Sequence, residues 1–327
     1  MSKIAIIGAG LSGLTAATLL QDYADITLFE KSRGVSGRMS TRRAEPYFFD
    51  HGAQYFTART EPFQQFIQPL IARGVIERWN PYYVKFAGDQ MIARKDWRND
   101  EPRYVGVPGM NSMAKHLAKN FKIKLNTKIT VLQQHKKWQL YDELGTHYKD
   151  FDWIISTAPA CDTVELFPLN FEHYAKIKAI EMHPCFSLML GFSKVLALDF
   201  QAAHISNADL SWLAVNSHKP GRAKPFTLVA FSSVEYATKH IDGDRDKIMQ
   251  HLCFATTRII GHDVNIADHK AVHGWRFANN AKREPGSIFI DHNLQLAACG
   301  DWCFGGRVEG AFMSAYQLAK KIKEIIL

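Results

Sequence analysis

The stretch "KIAIIGAGLSGLTAATLLQDYADITLFEK", residues 3–31, constrains this chain more than any other. Ile4, Ile6 and Ile7 form the short continuous apolar run of a buried parallel strand. Gly8, Gly10 and Gly13 then follow the G-x-G-x-x-G spacing. Gly8 allows the tight turn, Gly10 lets backbone approach a pyrophosphate, and Gly13 lets the helix pack on the strand. Leu11 and Ser12 open a helix predicted to run to about Gln21, with its N-terminal amides and dipole aimed at that phosphate. A second strand, Ile26 to Phe29, ends at Glu30, 22 residues after Gly8. A carboxylate there meets the adenosine ribose hydroxyls. Strand, turn, helix, strand and acid agree on a dinucleotide site. Glu30 would repel a ribose 2′-phosphate, which disfavours NADP here and leaves NAD and FAD open.

Composition narrows the class. A 327-residue chain with 46% hydrophobic and 22% charged residues is a globular protein of one large or two intimate domains. No apolar run approaches the ~20 residues of a membrane span. The first apolar stretch is broken by glycines and Ser12, so neither a signal peptide nor an anchor is expected. Five cysteines, an odd number with no C-x-x-C and no zinc spacing, predict reduced thiols, a cytoplasmic location and no metal. Cys299 and Cys303 are spaced wrongly for a redox dithiol. The net charge of +8 raises a nucleic-acid reading, but no nucleic-acid-binding signature accompanies it. Lys115, Lys119, Lys122, Lys124 and Lys128 read as solvated faces. Lys31, Arg33, Arg38, Arg42 and Arg43 suit an acidic small molecule.

After Glu30 the strand–helix alternation of an NAD domain stops. "KSRGVSGRMSTRR" follows, then "YFFDHGAQYF". With "VPGMNSMAKHLA" at 107–118 and "DWIISTAPA" at 152–160, this resembles the FAD-dependent amine-oxidase superfamily, whose "GGR" segment lies over the pyrophosphate. Ser36 stands at the first of those glycines. Within the superfamily, "GRMSTRR" and "DHGAQY" are similar to the renalase family. The resemblance implies non-covalent FAD in a Rossmann-like FAD-binding domain of the p-hydroxybenzoate hydroxylase/amine-oxidase type, with an inserted α+β substrate domain. The FAD-binding domain would be discontinuous, over 1–62, 103–160 and 286–327, and the substrate domain would take 63–102 and 161–285. Gly37 and Arg38 would serve the cofactor's phosphates, Lys31 would also contact the cofactor, and Gly52, Ala53, Gln54 and Tyr55 would meet its ring. The backbone of Val131 would meet the adenine.

A second glycine loop lies near the end of the chain. The apolar run "LQLAAC" precedes "GDWCFGGR", and from Val308 apolar residues recur at three- and four-residue spacing, which predicts a long amphipathic helix. By the resemblance, Gly300 and Asp301 close on the phosphate–ribityl region, while Arg307, Val308 and Glu309 present a helix N-terminus to the ring. "AVHGWRFANN" resembles the tryptophan-bearing strand on the substrate face. There Trp275 could stack on a planar substrate and Arg276 could meet an amide or phosphate, whereas His273 reads as core. Gln54, Trp275 and Arg276 are the candidate catalytic residues. No Ser-His-Asp, Cys-His or paired-carboxylate arrangement is suggested, as befits an enzyme whose cofactor does the chemistry. The resemblance implies oxidation of 2- and 6-dihydro isomers of NAD(P)H, with hydride passing to flavin N5 and oxygen becoming peroxide. The expected partners are a dinucleotide substrate and oxygen, with the protein a monomer or weak dimer. Two alternatives are an amine oxidase, which should bring an aromatic cage and a lysine near N5, and a flavin- or nucleotide-bound interaction protein without turnover.

Overall fold

The computed structural model describes residues 1–98, 100–280 and 288–327; the expected boundary at 285/286 lies outside them. A six-stranded sheet runs in the order Phe289–Asp291, Leu296–Ala298, Trp153–Ser156, Ser2–Ile7, Ala24–Phe29, Lys122–Lys124. All neighbours are parallel except the first pair. Ser2–Ile7 sits in the middle and is covered on both faces, which is why its apolar run does not alternate. Helices Leu11–Leu20, Ser112–Ala118 and Val308–Ile326 bury Leu14, Ala114 and Leu318 with Ile4 and Ile6. The opposite face carries the three-stranded sheet of Ile129–Gln134, Trp138–Asp142 and His147–Phe151, where Trp138 and Phe151 pack with Ala5 and Ile7.

A seven-stranded sheet runs His269–Asn280, Met182–Phe192, Phe226–Ser232, Leu210–Val215, Ala202–Ser206, Tyr82–Ala87, Gln90–Asp96. Helix Arg245–Ile260 covers one face, burying Leu252 and Ile259 against Leu188 and Leu228. Asp244 caps its start by accepting from the amides of Asp246 and Lys247 at 2.9 and 3.3 Å, and Gly261, at φ 68°, ends it.

The other face of this sheet positions the site. The hairpin Thr41–Ala44/Tyr47–Asp50 follows the 31–40 segment, which packs on the first glycine loop, and lays Tyr47 and Phe49 on Met189 and Val229. The chain emerging at Asp50 therefore lies between the two large sheets.

Candidate functional site

In the first loop, a side chain on Gly13 would come within 2.0 Å of the Gly8 carbonyl oxygen, so only glycine lets the helix seat there. The backbone of Gly37 faces that of Gly10 across the loop. Glu30 is buried, and its oxygens accept from the amides of Ala9 (2.9 Å) and Ser32 (2.8 Å). Leu14 N–H is the first helical amide to close, on Gly10 O at 3.0 Å. The amides of Leu11 and Ser12 have no protein acceptor among the described residues, which leaves an anion site at the helix N-terminus.

The second loop meets the first. Arg38 donates to both oxygens of Asp301, at 3.0 and 2.5 Å, and to Ala278 O at 3.2 Å. Ser12 Oγ donates to Ala311 O at 2.9 Å, tying the first helix to the last. Two loops almost three hundred residues apart in the chain thus place two helix N-termini side by side. The amides of Val308 and Glu309, like those of Leu11 and Ser12, have no protein acceptor among the described residues.

Ser36 has φ 111°, in the region that favours glycine. The departure from glycine therefore costs backbone strain. Ser36→Gly should retain the fold and raise stability by about 1 kcal/mol in thermal unfolding.

The loop Asp50–Tyr55 docks on Arg38: Ala53 N–H donates to Arg38 O at 2.8 Å, and a side chain on Gly52 would meet that same oxygen at 1.9 Å. Beneath the loop is a fully buried ionic cluster. Asp50 Oδ2 accepts from Lys219 Nζ (3.2 Å) and from Nε and Nη2 of Arg222 (3.1 and 2.6 Å). Its Oδ1 accepts from Thr41 Oγ1 (2.8 Å) and from Met110 N–H (3.0 Å). Burial alone would raise the Asp50 carboxyl, but Lys219 and Arg222 overcome it and hold it at about 2. Burial, opposed by Asp50 and assisted by Arg222, lowers Lys219 to about 8. Gln54 joins the cluster, accepting from Lys219 Nζ at 3.1 Å and donating to Asp50 O (2.5 Å) and Gly52 O (3.1 Å).

Trp275 also reaches this loop. Its Nε1 donates to His51 O at 2.7 Å, its ring stacks on His51 (centroids 5.2 Å apart), and His273 meets it edge-on at 4.4 Å. Burial, then His273 and Arg42, push His51 down to about 4; burial and Arg42 also lower His273. Both imidazoles are neutral near neutrality.

Residues 82–323 match the family described as flavin containing amine oxidoreductase, and residues 6–70 match the NAD(P)-binding Rossmann-like domain. The chain belongs to the flavin-containing amine oxidoreductases. Among curated proteins, it is 27% identical to renalase of Mus musculus over 356 aligned positions, which cover 100% of both chains. It is 43% identical to a 4,4'-diapophytoene desaturase (4,4'-diaponeurosporene-forming) of Staphylococcus aureus over 51 residues, 15% of this chain and 10% of that one. Two solved structures share the fold: a putative protoporphyrinogen oxidase from Exiguobacterium sp. 255-15 (TM-score 0.79) and a triple mutant of putrescine oxidase (TM-score 0.75). Each is 11% identical, with 99% of both chains covered.

A flavin-containing oxidoreductase with a G-x-G-x-x-G loop and a buried carboxylate at the end of the second strand uses FAD. The residues present fit it: two helix N-termini with unpartnered amides, bare glycine backbone at Gly10 and Gly37, and Glu30 with lone pairs to spare.

The surroundings of the other expected site residues vary. Arg276 does not join Trp275; adjacent strand residues face opposite ways, and its exposed guanidinium pairs with Asp242. Glu309 turns its carboxylate away to accept from Arg59 N–H (3.0 Å), Thr60 N–H (2.7 Å) and Thr60 Oγ1 (2.8 Å), at the start of helix Glu61–Ala72. Its backbone amide is left for a cofactor. Ser12 and Leu11 likewise offer backbone alone, since the Ser12 hydroxyl is spent on Ala311 and Leu11 is buried in a core cluster. Lys31 pairs with Asp162 at 2.8 Å, and Arg307 is exposed. Val131 is 44% exposed on a strand that starts beside Glu30, where Thr127 N–H donates to Glu30 O at 2.9 Å. All five cysteines are free; burial pushes Cys299 up to about 12 and Cys303 well above its ordinary value. Lys219, Arg222 and Asn216, which accepts from Asp50 N–H at 3.3 Å, were not singled out by sequence reasoning. They lie in the run "NSHKPGR" at 216–222, which by sequence is two cations around a surface Pro-Gly turn.

Proposed function

We propose that this chain is an FAD-dependent oxidase of isomeric dihydronicotinamide dinucleotides, the 2- and 6-dihydro forms of NAD(P)H, with oxygen as acceptor and NAD(P)⁺ and peroxide as products. The observation that carries this reading is the joining of Trp275 to the Asp50–Tyr55 loop through His51, which builds an aromatic cluster beside the segment resembling the renalase family. The full-length similarity to renalase supports it. Non-covalent FAD supplies a hydride acceptor and a site for reaction with oxygen when bound.

The chain's own residues bind and orient. The amides of Leu11 and Ser12, with Arg38, take the pyrophosphate. Glu30 takes the adenosine ribose, and the Val131 strand lies along the adenine. Gly300 and Asp301 take the ribityl side, and the amides of Val308 and Glu309 meet the pyrimidine edge of the ring. Trp275 stacks on the nicotinamide, while neutral His51 and His273 border it without adding a second positive charge as the substrate becomes cationic. Gln54 shapes the ring side of the pocket. In this scheme FAD lies in the unit around the six-stranded sheet, and the substrate lies under the seven-stranded sheet.

Steady-state turnover tests the reading. Each 2- or 6-dihydro isomer consumed should yield one NAD(P)⁺ and one peroxide. Consumption without peroxide, or none at all in FAD-loaded protein, would count against it.

Amine oxidation is the second reading, favoured by Lys219 and by the rings of Tyr55, Trp79, Tyr83, Trp97 and Trp212. Two features weigh against it. Lys219 is committed to Asp50 and Gln54, and those rings pack on one another at centroid separations of 4.5 to 6.4 Å, leaving no cage.

A further inference from the structure

The side chains of Asp50, Lys219 and Arg222 are each at most 2% exposed. They enclose two positive charges and one negative. Asp50 is the only carboxylate bonded to either cation among the described residues. Arg222 spends Nη1 on Gly106 O and Pro220 O, both at 2.7 Å, and Lys219 lies 5.4 Å from the centre of the Trp79 ring. A surplus buried cation is costly unless an anion faces it while the protein works. The cluster meets the Asp50–Tyr55 loop at Asp50 itself and at Gln54, and Asp50 also holds the Met110 amide. Lys219 fixes the Gln54 amide oxygen, and the Asp50 and Gly52 carbonyls fix the amide nitrogen, so the side chain has one orientation.

We infer that the surplus charge of the Asp50–Lys219–Arg222 cluster is directed at the flavin ring across Gln54. There it favours the negative charge that the ring gains on two-electron reduction or on addition of sulfite. Lys219 and Arg222 are then positioning residues, acting through Gln54 and Asp50 without touching the substrate. The inference rests on the proposed placement of the ring against this loop.

The test uses the full chain loaded with FAD and sulfite as the probe, read as a dissociation constant, together with the midpoint potential. Lys219→Met and Arg222→Gln each remove one positive charge. Each should weaken sulfite binding about tenfold, matched by a drop in potential of ~30 mV for a two-electron couple. Thr41→Val removes a hydrogen bond to Asp50 but no charge, and should leave both readings in place. Unchanged sulfite affinity in Lys219→Met that still holds FAD would overturn the inference. So would equal weakening in all three variants, because the cluster would then be a scaffold only. If Lys219→Met does not fold, Arg222→Gln decides by the same criteria. Parent protein that binds no FAD would instead defeat the cofactor placement itself, a separate outcome seen before sulfite is added.

Discussion

Arg38→Ala should purify almost without colour and take up added FAD about a hundredfold more weakly than the parent chain. Arg38 is the bond between the two glycine loops, holding both oxygens of Asp301. Its removal leaves the Asp301 carboxylate, 10% exposed, with no cation bonded to it among the described residues. Breaking a pair of this burial costs about 3 kcal/mol, and each 1.4 kcal/mol is tenfold in affinity. The second helix N-terminus then loses its register against the first. Arg38→Lys should recover only part of the affinity, since an ammonium cannot make the two parallel bonds. Titration of apoprotein with FAD, followed by flavin fluorescence, checks this. Undiminished affinity in Arg38→Ala would mean that the loops are held together elsewhere.

Asp50→Asn should destabilise the fold by about 3 to 5 kcal/mol, because Lys219 and Arg222 would face each other with no carboxylate between them. The same group predicts an acid limb. Its folded value of about 2 lies below the ordinary 3.8. A depressed carboxyl contributes stability that is fully present above about pH 4 and lost as pH falls towards 2. A shift of this size is worth about 2 kcal/mol. Thermal unfolding across pH 2 to 7 should therefore show the gap between parent and Asp50→Asn narrowing below pH 4. A gap that stays constant would show that Asp50 is not the group titrating there.

The fingerprint at Gly8–Glu30 was legible because its signals are local. Glycine spacing, apolar runs and a terminal acid all lie within one βαβ unit, and the helices Leu11–Leu20 and Val308–Ile326 start where the glycine motif and the apolar periodicity put them. The second loop was legible because a strand and a helix flank it. Lys219 and Arg222 were not. A Lys-Pro-Gly-Arg turn reads as solvated surface, and only a partner 169 or more residues earlier in the chain makes it core. Arg276 failed for a different reason. Alternation places Trp275 and Arg276 on opposite faces, but the sequence does not say which face meets the loop. Glu309 was visible as a first-turn acid, yet its carboxylate serves a neighbouring helix some 249 positions away.

The most direct test of the central claim is anaerobic rapid mixing of the FAD-loaded chain, with the bound flavin first shown to be released by heat. The 2- and 6-dihydro isomers of NAD(P)H should each bleach the flavin absorbance, and admitting oxygen should restore it with peroxide. Rapid bleaching by primary amines or polyamines, with none by the dinucleotide isomers, would contradict the account.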